Sequence, residues 1–215
     1  MCESIFKSID KVTQRYVKHV LCVKRYENCK DSIKSMKKYE DKLYIQEAEW
    51  KVIYTMPKSV IVDNRVLELQ FKLLHRIIAT NKFLYKIQKI ESPRCHNRAM
   101  FIETIEHLFY ECMIVRNFWL NITGMWNMYF SKNVTFTCKD IMVGYNLNNL
   151  EEHVCENILI LYVKHYIYVC KLGERLPQIS SFAKYIQSKV GIVLKTDCTN
   201  RTDYEQLFEF ITECM

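Results

Sequence analysis

The chain has 215 residues, enough for one sizeable core or two small ones. Only 4 glycines and 3 prolines argue against a many-turned β fold, and 49% hydrophobic with 26% charged residues is the balance of an ordinary globular protein. The formal charge of +7 is uneven: +3 over residues 1–50, +5 over 51–120 and −1 over 121–215, so a polyanion would be expected on the first 120 residues.

In chain order, Ile5, Ile9, Val12, Tyr16, Val20 and Val23 recur at helical steps and predict one or two helices within 4–47. The mixed-charge run 30–41 reads as an exposed helix or linker. An apolar segment over 50–57 is expected to stop at Pro57. Asp63-Asn64 then starts a helix over 65–80, with Leu67, Phe71, Leu74 and Ile78 inward and Lys72, His75 and Arg76 outward. A turn and short helix follow from Asn81, broken at Ser92-Pro93, which leaves Cys95 in a loop. Thr104 can cap a helix over 105–122. Residues 123–150 are expected to be irregular and aromatic. Helices are predicted over 151–170, 180–190 and 204–213, with a polar loop over 191–202. In the helix 151–170, Lys164-His165 reads as the solvent face. The fold class is therefore all-α: an irregular helical bundle with a small Cys/His knuckle-like loop between helices.

Ten cysteines at irregular spacings, with no signal-peptide pattern in the first residues, point to reduced thiols and an intracellular protein. The longest apolar stretch, near 158–163, is too short to cross a bilayer, so no membrane partner is expected. The informative cysteines are Cys95 and Cys112. With His107 they form Cys95, eleven residues, His107, four residues, Cys112, using residue types that structural zinc prefers. The five-residue step from His107 to Cys112 exceeds the spacing of neighbours on a helix face, so it needs a distorted turn. A complete CxxC knuckle would put a cysteine at position 98, where this chain has Arg98, a permanent positive charge. His96 directly adjoins Cys95, and chelation of one ion from neighbouring residues is strained. Cys112 can equally be read as a core thiol on a helix packed through Leu108, Phe109, Val115 and Trp119.

Several runs resemble one family. They are Trp-Lys-Val-Ile-Tyr-Thr-Met-Pro at 50–57, Leu-Gln-Phe-Lys-Leu-Leu-His-Arg-Ile-Ile-Ala-Thr-Asn-Lys-Phe-Leu-Tyr-Lys-Ile at 69–87, and Ser-Pro-Arg-Cys at 92–95. Glu-Thr-Ile-Glu-His-Leu-Phe-Tyr-Glu-Cys at 103–112 and Val-Arg-Asn-Phe-Trp at 115–119 belong with them. Together they resemble the zinc-binding segment that follows the reverse transcriptase core of non-LTR retrotransposon proteins. The run 157–168 resembles that family's C-terminal helix more weakly. The chain is thus expected to divide into an N-terminal helical segment over 1–47, a zinc-knuckle-like module over 48–122, where the resemblance is strong, and a C-terminal helical segment over 123–215. The resemblance implies zinc on Cys95, His107 and Cys112, with the fourth ligand lost at Arg98. It also implies RNA or DNA, bound with little sequence specificity, as the partner, and the nucleus or cytoplasm as the location. Phosphate contacts are expected from Lys72, Arg76, Lys82, Lys86, Lys89 and Arg98.

No Asp-Asp pair, Gly-rich phosphate loop or Gly-x-Ser-x-Gly turn occurs, so no catalysis is expected. The expectation is a non-catalytic nucleic-acid-binding module, a remnant or fragment without the polymerase. The alternative is a helical protein-interaction scaffold, or an inactive remnant with a metal-free fold.

Overall fold

The computed structural model describes residues 34–96, 98–196 and 198–215. The helical stripe expected from Ile5 to Val23 lies outside these residues. The protein is all-α, with a single two-stranded hairpin among the described residues.

Helix α1 (Lys34–Leu43) buries Tyr39, whose hydroxyl donates to the Leu73 carbonyl at 2.8 Å. Helix α2 (Glu49–Val60) does not stop at Pro57. The proline is buried in the last turn, and Ile61 still donates to its carbonyl. Its ring removes one helical donor, and the burial of Ile53, Met56 and Val60 in the core offsets that loss. Helix α3 (Asn64–Leu74) begins as expected, with the Asp63 carboxylate accepting from Arg65 N at 2.9 Å. It ends earlier than expected. Arg76 takes a left-handed φ of 55°, and Ile77 N donates back to the Lys72 carbonyl, closing the helix as a glycine usually does. Helix α4 (Asn81–Lys86) is capped by Thr80.

The loop expected around Cys95 is a hairpin of β1 (Arg94–Cys95) and β2 (Arg98–Ile102), with Cys95 opposite Arg98 and an irregular register. Helix α5 (Met113–Phe130) runs well past 122. The region expected to be irregular also holds α6 (Cys138–Val143), started by a Thr137–Asp140 capping box, and a 3-10 segment, Leu147–His153. Gly144 ends α6 at φ 125°. A Cβ there would lie 2.5 Å from Met56 Cε, so the position suits only glycine.

Helix α7 (Val154–Leu172) is central, with every residue from Cys155 to Lys164 buried. It packs against α2, α3, α6, α8 (Ile179–Val193) and α9 (Arg201–Cys214). A helix that is apolar nearly all round has no solvent face to offer, and this corrects the reading of Lys164. Its side chain is buried and donates to Gln70 Oε1 at 2.5 Å, while Gln70 Nε2 donates to the Met142 carbonyl at 3.0 Å. His165 is half-buried, with Nδ1 2.7 Å from the Tyr185 hydroxyl.

One core joins residues of the 48–122 and 123–215 segments. Tyr204 donates to the Val60 carbonyl at 3.0 Å, and Lys189 pairs with the Asp63 carboxylate at 2.5 Å. No helix among the described residues is long and apolar enough to cross a membrane.

Candidate metal centre and basic face

The Thr104 hydroxyl accepts from His107 N at 3.0 Å and opens the helical segment where the sequence placed its start. The next turn is not α-helical. Residues His107–Glu111 form a π turn, in which Cys112 N donates to the His107 carbonyl at 3.0 Å. Five residues of a regular α-helix would put two side chains about 140° apart around the axis. The wider π turn brings them back toward one side. The backbone at Cys112 then leaves helical geometry (φ −59°, ψ 125°) before α5 starts, and Trp119 Nε1 bonds the Phe109 carbonyl at 2.8 Å to hold the turn. The awkward five-residue spacing thus becomes a working one through the distortion it required.

Cys95 reaches the same place from the end of β1. The ligand atoms of Cys95, His107 and Cys112 all lie within 4.8 Å of one another, and all three residues are buried. The group can hold a metal ion. Its chemistry is that of zinc ligands, two thiols and one imidazole. His107 Nε2 is buried without a hydrogen-bond partner. Such an atom is costly in a purely structural core, and a metal would satisfy it. Burial pushes the imidazole below its usual pKa, against the raising influence of Glu111 and Glu103, which favours the neutral form a metal needs. Phe101 of β2 stacks on the His107 ring at 5.7 Å.

The centre opens on a cleft of about 380 Å³, lined in part by Cys95, His96, Glu103, His107, Cys112 and Cys170. Glu103 braces it: its carboxylate accepts from Asn81 N at 2.9 Å and from Lys171 Nζ, joining α4, the hairpin and α7. Asn81 Nδ2 also bonds the Arg94 carbonyl at 2.6 Å, and Lys82 N bonds the Glu103 carbonyl at 3.2 Å. Helix α4 is therefore fixed to the candidate centre by its first turn.

The expected phosphate contacts separate into three kinds. Lys82, Lys86 and Lys89 are exposed, on and just after α4, and none has a carboxylate at ion-pair distance among the described residues. Tyr85, Lys86, Gln88 and Lys89, with Glu91, border a shallow groove there. Lys72 is half-exposed and paired with Glu68 at 2.6 Å. Arg76 does not face outward. Its left-handed backbone turns the guanidinium inward, 4.8 Å over the Tyr39 ring and 2.8 Å from Glu106 Oε1. For Arg98 only the backbone is among the described features, so the reading of its side chain lies outside them.

Glu106 was not legible in the sequence as a buried, paired charge, because its partners, Lys42 and Arg76, are distant in the chain. Burial pushes its carboxyl up, but a backbone hydrogen bond and the Arg76 guanidinium outweigh that and hold it below the usual carboxylate range. Arg76→Ala would strand this buried charge with only Lys42 beside it. The expected loss is about 3 kcal/mol in denaturant unfolding, against under about 0.5 kcal/mol for exposed Lys82→Ala. Equal, small effects would show that Arg76 is solvated after all.

Comparison with protein-family models, curated proteins and solved structures finds no match to this chain.

Proposed function

We propose that this chain is a non-catalytic nucleic-acid-binding module in which zinc, held by Cys95, His107 and Cys112, fixes a hairpin and a short basic helix as one surface. The convergence of the three donors within 4.8 Å carries the metal part of the reading. When bound, zinc supplies a cross-link between β1 and the π turn; the protein's own residues do the rest. Lys82, Lys86 and Lys89 supply cations free of internal partners among the described residues. Tyr85 on α4 and Phe101 on β2 each expose about half their surface, so rings for base stacking accompany the cations. The net charge of +5 over residues 51–120 points the same way.

The test is a fluorescence anisotropy titration with labelled single-stranded RNA and duplex DNA at several salt concentrations. Wild-type binding should weaken steeply with salt. Replacing Lys82, Lys86 and Lys89 together by alanine should lower affinity without unfolding the chain and flatten the log–log salt slope by about 2–3, since each lost phosphate contact removes about 0.7–0.9. Absence of binding at low salt, or binding indifferent to salt, would overturn the reading and leave a helical interaction scaffold in its place.

A further inference from the structure

Cys95 and Cys112 lie close enough to react with each other as well as to share an ion. Their sulfurs are within 4.8 Å of one another, and both are free thiols. A disulfide needs about 2.05 Å between sulfurs. Rotation of either side chain, with some give in a two-residue strand of irregular register, covers the difference. The two residues sit on separate pieces of backbone, at the end of β1 and at the joint between the π turn and α5, so one can approach the other without unwinding a helix. Both border the cleft of about 380 Å³, which gives a small oxidant a way to sulfurs in residues that are otherwise buried. Neighbouring thiols are poorer candidates. Cys170 borders the same cleft but lies on the central helix and is engaged with the Tyr166 side chain. Burial also pushes the Cys138, Cys155 and Cys170 thiols up, which keeps them protonated and slow to react.

We infer that Cys95 and Cys112 are a redox pair, which hydrogen peroxide converts to a disulfide that expels zinc from the centre. The loss of zinc rests on the metal reading above; the pair itself rests on the geometry of the two sulfurs. One thiolate attacks a peroxide oxygen, the O–O bond breaks, hydroxide leaves and the sulfur becomes a sulfenic acid. The second thiolate attacks that sulfur, the S–O bond breaks and a second hydroxide leaves. The two sulfurs together give up two electrons, and one peroxide is reduced to two hydroxides. In the metal-free chain the two thiol protons convert these to water. A disulfide sulfur brings no negative charge to a dication, and His107 alone is left as a donor of the group. Bound zinc and the disulfide are therefore alternative states of the same two sulfurs.

The experiment treats the full chain, zinc-loaded and metal-free, with submillimolar hydrogen peroxide. Released zinc is read with a chromophoric chelator, and linked peptides by mass spectrometry after digestion without reductant. Zinc should leave in step with formation of the Cys95–Cys112 bridge, and a phosphine reductant followed by fresh zinc should restore the loaded centre. Cys112→Ser should stop at a sulfenic acid on Cys95, trapped by dimedone, while Cys170→Ser should form the bridge as wild type does. Linkage of either cysteine to Cys170, or oxidation of the two to separate sulfinic acids, would overturn the inference. A chain that binds zinc and keeps it while its other thiols oxidise would also overturn it and leave the zinc reading standing. A chain that forms the bridge but binds no zinc would keep the redox pair and sink the zinc reading.

Discussion

Removing zinc from the metal-loaded chain with a chelator is expected to lower its thermal midpoint by about 5–10 °C. A ligand present at 100 times its dissociation constant stabilises the folded state by about 2.7 kcal/mol, and each kcal/mol shifts a chain of this size by about 2–4 °C. The effect should be this large because the three donors come from separate pieces of backbone. Cys95 ends a two-residue strand, His107 opens a π turn and Cys112 leaves it, so one ion held there would tie a short hairpin to the long helix α5. Neither β1 nor the π turn has much regular hydrogen bonding of its own to hold it. Cys112→Ser should abolish the chelator response while leaving the core of the metal-free chain nearly intact. His107→Leu offers a sharper contrast. It removes the ligand and also the unpartnered buried Nε2, so the metal-free variant should be as stable as metal-free wild type or more so, yet no longer respond to zinc. A wild-type midpoint unmoved by added zinc and by its removal would show that the three side chains are packing residues only.

The second large effect belongs to Lys164. Its ammonium sits in the central helix with Gln70 Oε1 as its hydrogen-bond acceptor, and burial pulls its pKa from 10.5 down to about 7. The sign follows from linkage. Between pH 7 and the unfolded value near 10.5, the unfolded chain keeps a proton that the folded chain has released. Folding stability therefore rises with pH across that window, by about 1.4 kcal/mol per pH unit. Below pH 7 both states are protonated, and the folded state bears the full cost of a buried charge. Above about pH 9 the trend is opposed, because burial raises the Cys138 thiol to about 12 and also pushes up the Cys155 thiol and several tyrosines. The clean window is thus pH 7 to 9. Urea unfolding should show wild-type stability climbing by on the order of 2–3 kcal/mol across it. Lys164→Met should flatten the climb. The absolute stability of that variant at one pH is a weaker readout, since it also strands Gln70 Oε1 at a cost of about 1–3 kcal/mol. A climb of the same size in Lys164→Met would assign it to other groups.

The two predictions sit on opposite sides of what the sequence discloses. The donors Cys95, His107 and Cys112 were legible because their residue types are few and their spacing is unusual. Even the need for a distorted turn between His107 and Cys112 followed from helix geometry alone. Lys164 was not legible. A lysine beside a histidine inside an apolar run looks like a solvent edge until helices from both sides of the chain are known to enclose it. Arg76 is a similar case. Nothing in its neighbourhood announces a left-handed residue, since neither glycine nor asparagine marks the position. Its orientation is set by Glu106, thirty residues on, and by Tyr39, on another helix.

By itself, then, the sequence determined what local chemistry controls: an all-α chain, helix starts at Asp63 and Thr104, and a Cys/His donor set spaced for one ion. Caps, breakers and periodicity act over a few residues and can be read there. Only the tertiary structure decided which charges are buried, where α2 passes through Pro57, and that β1, the π turn and α4 meet at one cleft. Those outcomes depend on segments tens of residues apart burying each other's surfaces. Burial of that kind overrides local propensities worth about 1–3 kcal/mol, because each large apolar side chain it removes from water contributes a comparable amount and many act together.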